Sequence, residues 1–338
     1  MKKEKRIVAL AMAALMLMAT LTACVKAEVI SLHNPEDMVL PSSDGVIMEL
    51  SWEMVPLTAS PAISSILTPT APGTLVKSNA KAIIDYSNTA DGYVMVKFSQ
   101  STSKRLKVTV KGPSGVQYQY NLNSKGDFDV FPLSDGNGSY SIGVFEQTEG
   151  NKYAAASSAT VDVKLKDEFA PFLRPNQYVN FNENSNVVKK AAELTKGKSD
   201  FYDKVNAIYE FVIGNITYDT ELAKSIQSGS VSSYLPVVDD VMAKGKGICF
   251  DYAALMTAML RSLDIPTKLV VGYAGQQYHA WINVYSEKEG WVSVIQFDGK
   301  SWKLVDPTFM AGAKNASQAE KMKDYIGDGK SYSACYLY

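Results

Sequence analysis

Cysteine and histidine, the side chains that most often bind zinc or act as nucleophile and base, are scarce in this sequence. Its 338 residues include only three cysteines and two histidines, and no pair of cysteines has the short spacing of a zinc site. A phosphate-binding glycine loop, a dinucleotide fingerprint and an EF-hand loop are also missing from the sequence. The formal net charge is -1, without the basic cluster that nucleic-acid binding needs. We therefore expect a protein that works without a metal, a cofactor or a nucleic acid.

One long apolar run is present, at the start of the chain. Four basic side chains and one glutamate precede residues 7–21, which are apolar apart from Thr20. This run is short for a membrane span and typical of a secretory signal, which we place at residues 1–23. It ends in Leu21-Thr-Ala-Cys24, which resembles the lipobox of bacterial lipoproteins. The resemblance implies cleavage before Cys24 and a lipid anchor on the outer face of a bacterial membrane; the alternative is a plain secretory signal.

The first half of the remaining chain predicts a spacer and then a β domain. Residues 24–79, which include His33, are rich in Pro, Ser, Thr and Ala and are typical of a tether. Residues 80–168 contain short alternating runs separated by Gly, Pro and Asp turns, which favour an immunoglobulin-like β-sandwich. The predicted strands are Ala82–Tyr86, Tyr93–Ser99, Leu106–Lys111, Gln117–Leu122, Phe128–Pro132, Tyr140–Glu146 and Thr160–Leu165. We expect this module to position the protein on a cell wall, another protein or a glycan.

The second half, residues 176–338, follows a proline-marked hinge at 170–175. Apolar residues first repeat with helical period and then alternate as in strands, which indicates an α+β domain. The expected helices are Val187–Leu194, a second one around Val205–Ile213, Val237–Ala243 and one that starts near Cys249 and ends before Pro266. The expected strands are Lys268–Tyr273, Tyr278–Ser286, Trp291–Gln296 and Trp302–Val305.

Three side chains in this half have the chemistry of amide acyl transfer. Cys249 lies between a glycine turn and an amphipathic helix, His279 follows 30 residues later, and Asp306 a further 27 residues on. The unpaired N–H groups and dipole of a helix N-terminus favour a thiolate, an imidazole exchanges protons with it, and a carboxylate orients the imidazole. Taken singly, each has an ordinary alternative: a buried thiol, a structural histidine and a turn-forming aspartate. Together and in this order, they favour a catalytic triad.

The motifs around these residues resemble the transglutaminase-like superfamily, whose members are relatives of papain-type cysteine enzymes. The resemblance covers about residues 199–309, and its motifs are Asn215-Ile-Thr-Tyr-Asp219, Gly247-Ile-Cys249-Phe-Asp-Tyr-Ala, His279-Ala-Trp281 and Asp306-Pro-Thr308. It implies that Cys249 is the nucleophile, His279 the general base and acid, and Asp306 the orienting carboxylate. It also implies a thioester intermediate. We favour hydrolysis of a peptide or isopeptide substrate, because many bacterial members resemble proteases.

The other candidate site residues have two readings each. Trp281 and Tyr252 line the substrate cleft or pack in the core, and Asp251 braces the nucleophile loop or adds acidity to the first helical turn. The Cys249 backbone N–H is the expected first donor of an oxyanion hole, and Tyr234 is our candidate for the second.

Several alternatives stay open at this stage. Cys335 is expected to be a half-buried spectator thiol, not a disulfide partner of Cys249. Two other functions compete with hydrolysis: protein crosslinking by transfer to a lysine amine, and binding without catalysis, including a structural adhesin. The sequence makes no prediction of the oligomeric state.

Overall fold

The structure is a computed structural model that describes residues 66–293, 295–297, 302–304, 306–311 and 331–338. The predicted signal peptide, Cys24, His33 and the first part of the predicted tether lie outside the described residues. Within the described part of the chain, no helix has the length and apolar character needed to cross a membrane.

The N-terminal region consists of two antiparallel sheets of four strands each. The strands are β1 Val76–Ser78, β2 Ala82–Asp85, β3 Tyr93–Phe98, β4 Leu106–Lys111, β5 Gln117–Leu122, β6 Asp129–Pro132, β7 Gly138–Glu149 and β8 Lys152–Val163. One sheet has the order β1-β2-β3-β6 and the other β5-β4-β7-β8. On β4, Leu106, Val108 and Val110 are buried while the residues between them are partly exposed, which is the alternation of a sheet with one covered face. The β-rich prediction is confirmed; the immunoglobulin-like topology stays a prediction.

The first sheet begins earlier than expected. Strand β1 lies within the stretch predicted as tether and pairs with β2. Just before it, the Gly73 N–H donates to the Asp85 carboxylate at 2.7 Å, and the Thr70 N–H donates to the Tyr93 hydroxyl at 3.0 Å. The chain from Thr70 onward is therefore attached to the sheet and does not act as a spacer.

The C-terminal half has helices first and a sheet afterwards, as predicted. The helices are α1 Asn186–Leu194, α2 Phe201–Asn215, α3 Thr220–Gln227, α4 Val238–Lys244, α5 Cys249–Arg261 and α6 Pro307–Ala311. The strands are β9 Thr217–Tyr218, β10 Lys246–Gly247, β11 Thr267–Ala274, β12 Gln277–Ser286, β13 Gly290–Ser293, β14 Ile295–Phe297, β15 Trp302–Leu304 and β16 Tyr332–Leu337. The main sheet is antiparallel with the order β13-β12-β11-β16.

Helix α5 forms the centre of this half. All of its residues from Asp251 to Arg261 are buried, although the sequence predicted only one apolar stripe. A helix buried on every side is covered by other elements all round. Here α1, α2, α4 and strands β11 and β12 pack around it. The first residue of α5, Cys249, is half-buried, so the thiol lies where this core meets the surface.

The segment 170–175, predicted as a hinge, is packed between the two halves. The Arg174 guanidinium donates to Asp91 at 2.7 Å, and the Arg174 carbonyl accepts a hydrogen bond of 2.6 Å from the buried Arg261. Arg261 also donates to the carbonyls of Thr267 and Tyr338. Because a buried guanidinium needs acceptors for its five donors, these bonds fasten the segment to the end of α5 and to the last strand.

An aromatic cluster joins the β-rich region to the C-terminal half. Its members are Tyr118, Tyr120, Tyr178, Tyr338 and Phe250, with neighbouring ring centroids 4.6–5.8 Å apart. The two tyrosines of β5 pack against Tyr338, which follows β16, and Tyr178 packs against Phe250, the residue after Cys249. The β-rich region is thus linked to the first turn of α5 through Tyr178.

Candidate active site

The loop that carries Cys249 is shaped by two glycines. Gly245 ends α4 with a φ of +60°, a left-handed conformation that favours glycine. Gly247 pairs with Tyr218 in a short parallel bridge, and a Cβ at Gly247 would lie 2.6 Å from the Cβ of Asp251. Any larger residue at position 247 would therefore displace the first turn of α5. This is the physical reason for the glycines in the motif before Cys249.

Asp251 braces this loop, which is one of its two predicted roles. Its Oδ2 accepts a 2.8 Å hydrogen bond from the Ile248 N–H and its Oδ1 accepts a 2.6 Å bond from the Tyr234 hydroxyl. The carboxyl group is fully buried, and burial raises its pKa above the usual range for aspartate. Both oxygens are thus committed to fixing the residues around the helix start.

His279 and Asp306 form a buried hydrogen-bonded pair. His279 lies near the start of β12 and Asp306 immediately before α6, and their Nε2 and Oδ2 atoms are 2.6 Å apart. The other carboxylate oxygen, Oδ1, accepts the Thr308 N–H at 2.9 Å. The side chains are 7% and 1% exposed, respectively. The Asp306 carboxylate is therefore held against Nε2 of His279 at a position that is almost inaccessible to solvent.

The pKa of His279 reflects competing effects. Burial lowers it, but the charge of Asp306, its hydrogen bond and the adjacent Cys249 together raise it to about 10. The imidazole is therefore protonated at neutral pH. A protonated imidazole beside a thiol is the arrangement that stabilises a thiolate.

Cys249 and His279 are in contact. The thiol and the imidazole are hydrogen bonded, and because Nε2 faces Asp306, Nδ1 is the nitrogen available to sulfur. The structure thus brings together all three side chains that the sequence singled out. Opposite His279 in the sheet is Gly272, where a Cβ would come within 2.1 Å of the Ser333 carbonyl; the close approach of β16 to this strand requires glycine.

Tyr252 and Trp281, for which the sequence left cleft and core open, are both buried. Tyr252 is fully buried and its hydroxyl donates to the Ile216 carbonyl at 2.7 Å. Trp281 is 3% exposed and stacks near His279, with centroids 6.2 Å apart and ring planes 19° apart. For both residues the structure favours the core alternative. Tyr234 is not the second oxyanion donor, because its single O–H is used in the hydrogen bond to Asp251.

Two tyrosines close to these side chains were not singled out from the sequence. Tyr218 lies beside Cys249, and its pKa is raised by burial and then by its proximity to the thiol. Its hydroxyl forms no hydrogen bond to another residue that the structure describes. Tyr332 donates a 3.1 Å hydrogen bond to Oδ2 of Asp306. Tyr218 lies within the motif Asn215-Ile-Thr-Tyr-Asp219, which could have drawn attention to it. No local sequence pattern marks Tyr332.

Neither Cys249 nor Cys335 forms a disulfide in the described part of the chain. Cys335 is half-buried and unbridged, as predicted, and Cys249 is likewise half-buried. Within the described residues, no cluster of three or more His, Cys, Asp or Glu side chains is placed to hold a metal ion.

Comparison with known proteins identifies relatives of the C-terminal half. Residues 188–295 match the family model described as the transglutaminase-like superfamily. Uncharacterized protein YebA of Bacillus subtilis strain 168 is 28% identical over 123 residues, 30% of this chain and 16% of that protein. A protein-glutamine gamma-glutamyltransferase of Pseudomonas aeruginosa is 28% identical over 96 residues, 24% of this chain and 13% of that enzyme. The chain therefore spans less than a fifth of the length of these relatives.

Solved structures show more distant similarity. A candidate cysteine protease from Cytophaga hutchinsonii has 17% identity and a TM-score of 0.32, over 64% of this chain and 78% of that one. Red sea bream transglutaminase has 13% identity and a TM-score of 0.26, over 72% of this chain and 49% of that one. The match to the family model and the motifs that lie within it identify residues 188–295 as a transglutaminase-like domain, which follows a region of β-sheets in this chain.

Proposed function

We propose that this protein catalyses acyl transfer from amide bonds through a thioester on Cys249, with hydrolysis of a peptide or isopeptide bond as the favoured outcome. The observation that carries the proposal is the contact of three side chains that are distant in sequence. The Cys249 thiol is hydrogen bonded to His279, and the His279 Nε2 lies 2.6 Å from Asp306. An isolated buried histidine needs one polar partner; a relay of thiol, imidazole and carboxylate is what nucleophilic catalysis requires.

The proposed reaction has two steps. In the first, Sγ of Cys249 attacks the carbonyl carbon, the C–N bond breaks, and the His279 imidazolium gives its proton to the leaving amine. In the second, the now neutral imidazole takes a proton from water, the resulting hydroxide attacks the thioester, and the C–S bond breaks to release an acid. Asp306 stays ionised and keeps the imidazole in place throughout.

Two donors are proposed to stabilise the oxyanion. The backbone N–H of Cys249 is at the first position of α5, where a helix leaves N–H groups without an intrahelical partner. The second donor is the hydroxyl of Tyr218, a residue of β9 that lies beside the Cys249 thiol. We assign the role to Tyr218 in place of Tyr234, since the Tyr234 hydroxyl is already bonded to Asp251.

Removal of the Tyr218 hydroxyl tests this assignment. Tyr218→Phe is expected to lower kcat by about 10- to 100-fold with little change in KM, because an oxyanion donor acts mainly in the transition state. Tyr285→Phe is the matched control; Tyr285 packs on Phe169 and Trp291 at the other end of β12. The measurement is kcat and KM of both variants on an amide substrate. Equal kcat values for the two variants would show that Tyr218 has no role in the mechanism.

The overall reaction is tested with a peptide library, with and without an added primary amine. Cleavage without amine incorporation supports a hydrolase, whereas incorporation of the amine supports the crosslinking alternative that the Pseudomonas relative's name suggests. Intact-mass spectrometry after rapid acid quenching is expected to show an acyl adduct on Cys249. If no peptide is turned over and no adduct forms, the catalytic proposal fails and the binding alternative takes its place.

We also propose that the protein is a bacterial surface lipoprotein anchored through Cys24. Support comes from the N-terminal sequence alone: the basic start, the apolar run and Leu21-Thr-Ala-Cys24. Cys24→Ala is expected to move the expressed protein from the detergent phase to the aqueous phase in a detergent-partitioning assay, because two or three acyl chains provide the anchor. Wild-type protein found wholly in the aqueous phase would exclude the lipid anchor.

A further inference from the structure

The last described strand brings a hydroxyl to the buried carboxylate of the site. Tyr332, at the start of β16, donates a 3.1 Å hydrogen bond to Oδ2 of Asp306. The same oxygen lies 2.6 Å from Nε2 of His279. Tyr332 is itself fixed by an edge-to-face contact with Trp281, at 5.2 Å between centroids. One carboxylate oxygen is therefore shared between the imidazole and the tyrosine.

We propose that Tyr332 is a positioning residue that holds the Asp306 carboxylate in place and withdraws part of its negative charge from His279. The proposal rests on the proposed function and adds a residue that controls how readily the imidazole releases its proton. Tyr332 does not touch the reacting atoms in this scheme; it acts through Asp306.

The direction of the effect follows from electrostatics. A hydroxyl that donates to a carboxylate stabilises the negative charge, and it does so most when no cation faces the same oxygen. The hydrogen bond from Tyr332 to Asp306 therefore stabilises the site more when His279 is neutral than when it is protonated. This difference favours proton release from His279, which the first step of the proposed reaction needs.

Several groups of the described residues surround this pair. His279 faces Asp306 from the start of α6, Cys249 from α5 and Tyr332 from β16. The charge of Asp306 also acts on Tyr209 of α2, whose pKa is raised first by burial, then by Glu210 and then by Asp306. Oδ1 of Asp306 keeps its hydrogen bond from the Thr308 N–H, so the carboxylate remains anchored when Tyr332 loses its hydroxyl.

The test is a direct titration of His279 in Tyr332→Phe. The chain has two histidines, His33 and His279, so histidine-labelled protein gives two NMR titration curves, and His33→Gln assigns them. We expect Tyr332→Phe to raise the His279 pKa by about 0.5 to 1 unit and Tyr285→Phe to leave it unchanged. A lowered or unchanged pKa in Tyr332→Phe overturns the proposal.

Two further measurements separate charge control from simple loss of structure. In an Asp306→Asn background, Tyr332→Phe is expected to cause no additional change in the His279 pKa, because the carboxylate charge through which Tyr332 acts has been removed. In kinetics, Tyr332→Phe is expected to lower kcat about 3- to 10-fold at neutral pH with KM unchanged and to move the pH optimum upward. An equal pKa change in both backgrounds would contradict the proposal. Because the titration needs no substrate, it stays decisive even if the wild-type protein proves inactive.

Discussion

Replacement of Cys249 by alanine is expected to abolish amide turnover, whereas Cys335→Ala leaves it within about twofold. Loss of the nucleophile removes the thioester route altogether, so the expected fall in kcat is about 1,000-fold or more. The two cysteines are a matched pair, since both are half-buried and neither forms a disulfide. Only Cys249 starts a helix and contacts His279.

The measurement is kcat on an active peptide, alongside the free energy of unfolding of each variant. Comparable unfolding free energies would show that neither change disrupts the fold. Turnover by Cys249→Ala at more than a tenth of the wild-type rate would show that the thiol is not the nucleophile, and equal losses in both variants would point to a shared structural cause.

Conversion of Asp306 to asparagine is the second large effect that we expect. The amide keeps the size of the side chain but removes the charge that holds His279 protonated and oriented. We expect kcat at neutral pH to fall by about 1,000- to 10,000-fold, the scale seen when a triad carboxylate is neutralised. The pKa of His279 should fall below its value of about 10, because burial then acts without the opposing charge. NMR titration of His279 checks this directly.

The same change alters how stability depends on pH. The folded-state pKa of His279 is raised from 6.5 to about 10. Its contribution to stability is therefore fully present below pH 6.5 and is lost as the pH rises through about 10. Asp306→Asn should remove this component, so its unfolding free energy should vary less with pH across this window.

Urea unfolding at several pH values from 6 to 10 tests this expectation. Lys268, whose pKa burial lowers to about 8, titrates in the same window. It is present in both proteins, so the difference between their pH profiles isolates the Asp306–His279 pair. Parallel profiles for wild type and Asp306→Asn would contradict the assigned pKa shift.

Much of the site could be predicted from local sequence. Glycines before Cys249 and a helical apolar period after it predict a thiol at a helix start, and the structure has that helix from Cys249. His279 was expected near the start of a strand and lies there. These predictions succeed because turns, helix starts and strand alternation depend on neighbours within a few residues.

The features that the sequence left open or did not reveal concern contacts between distant segments. Tyr252 and Trp281 carry no local sign that separates cleft from core, and only the packing of α5 and β12 buries them. The proline-marked segment 170–175 is typical of a hinge in sequence, yet Arg261, 87 residues after Arg174, bonds to it. The short strand β16 was not predicted, since its alternation is weak and its burial depends on β11.

The sequence by itself determined the kind of chemistry and the order of elements: a thiol, an imidazole and a carboxylate, on a helix start, a strand and a turn. Tertiary structure alone decided which further groups surround them. Tyr218 reaches the thiol because β9 pairs with β10, and Tyr332 reaches Asp306 because β16 adds to the sheet beside β11. The physical reason is that strand order is selected by the burial of whole faces, which no short stretch of residues encodes.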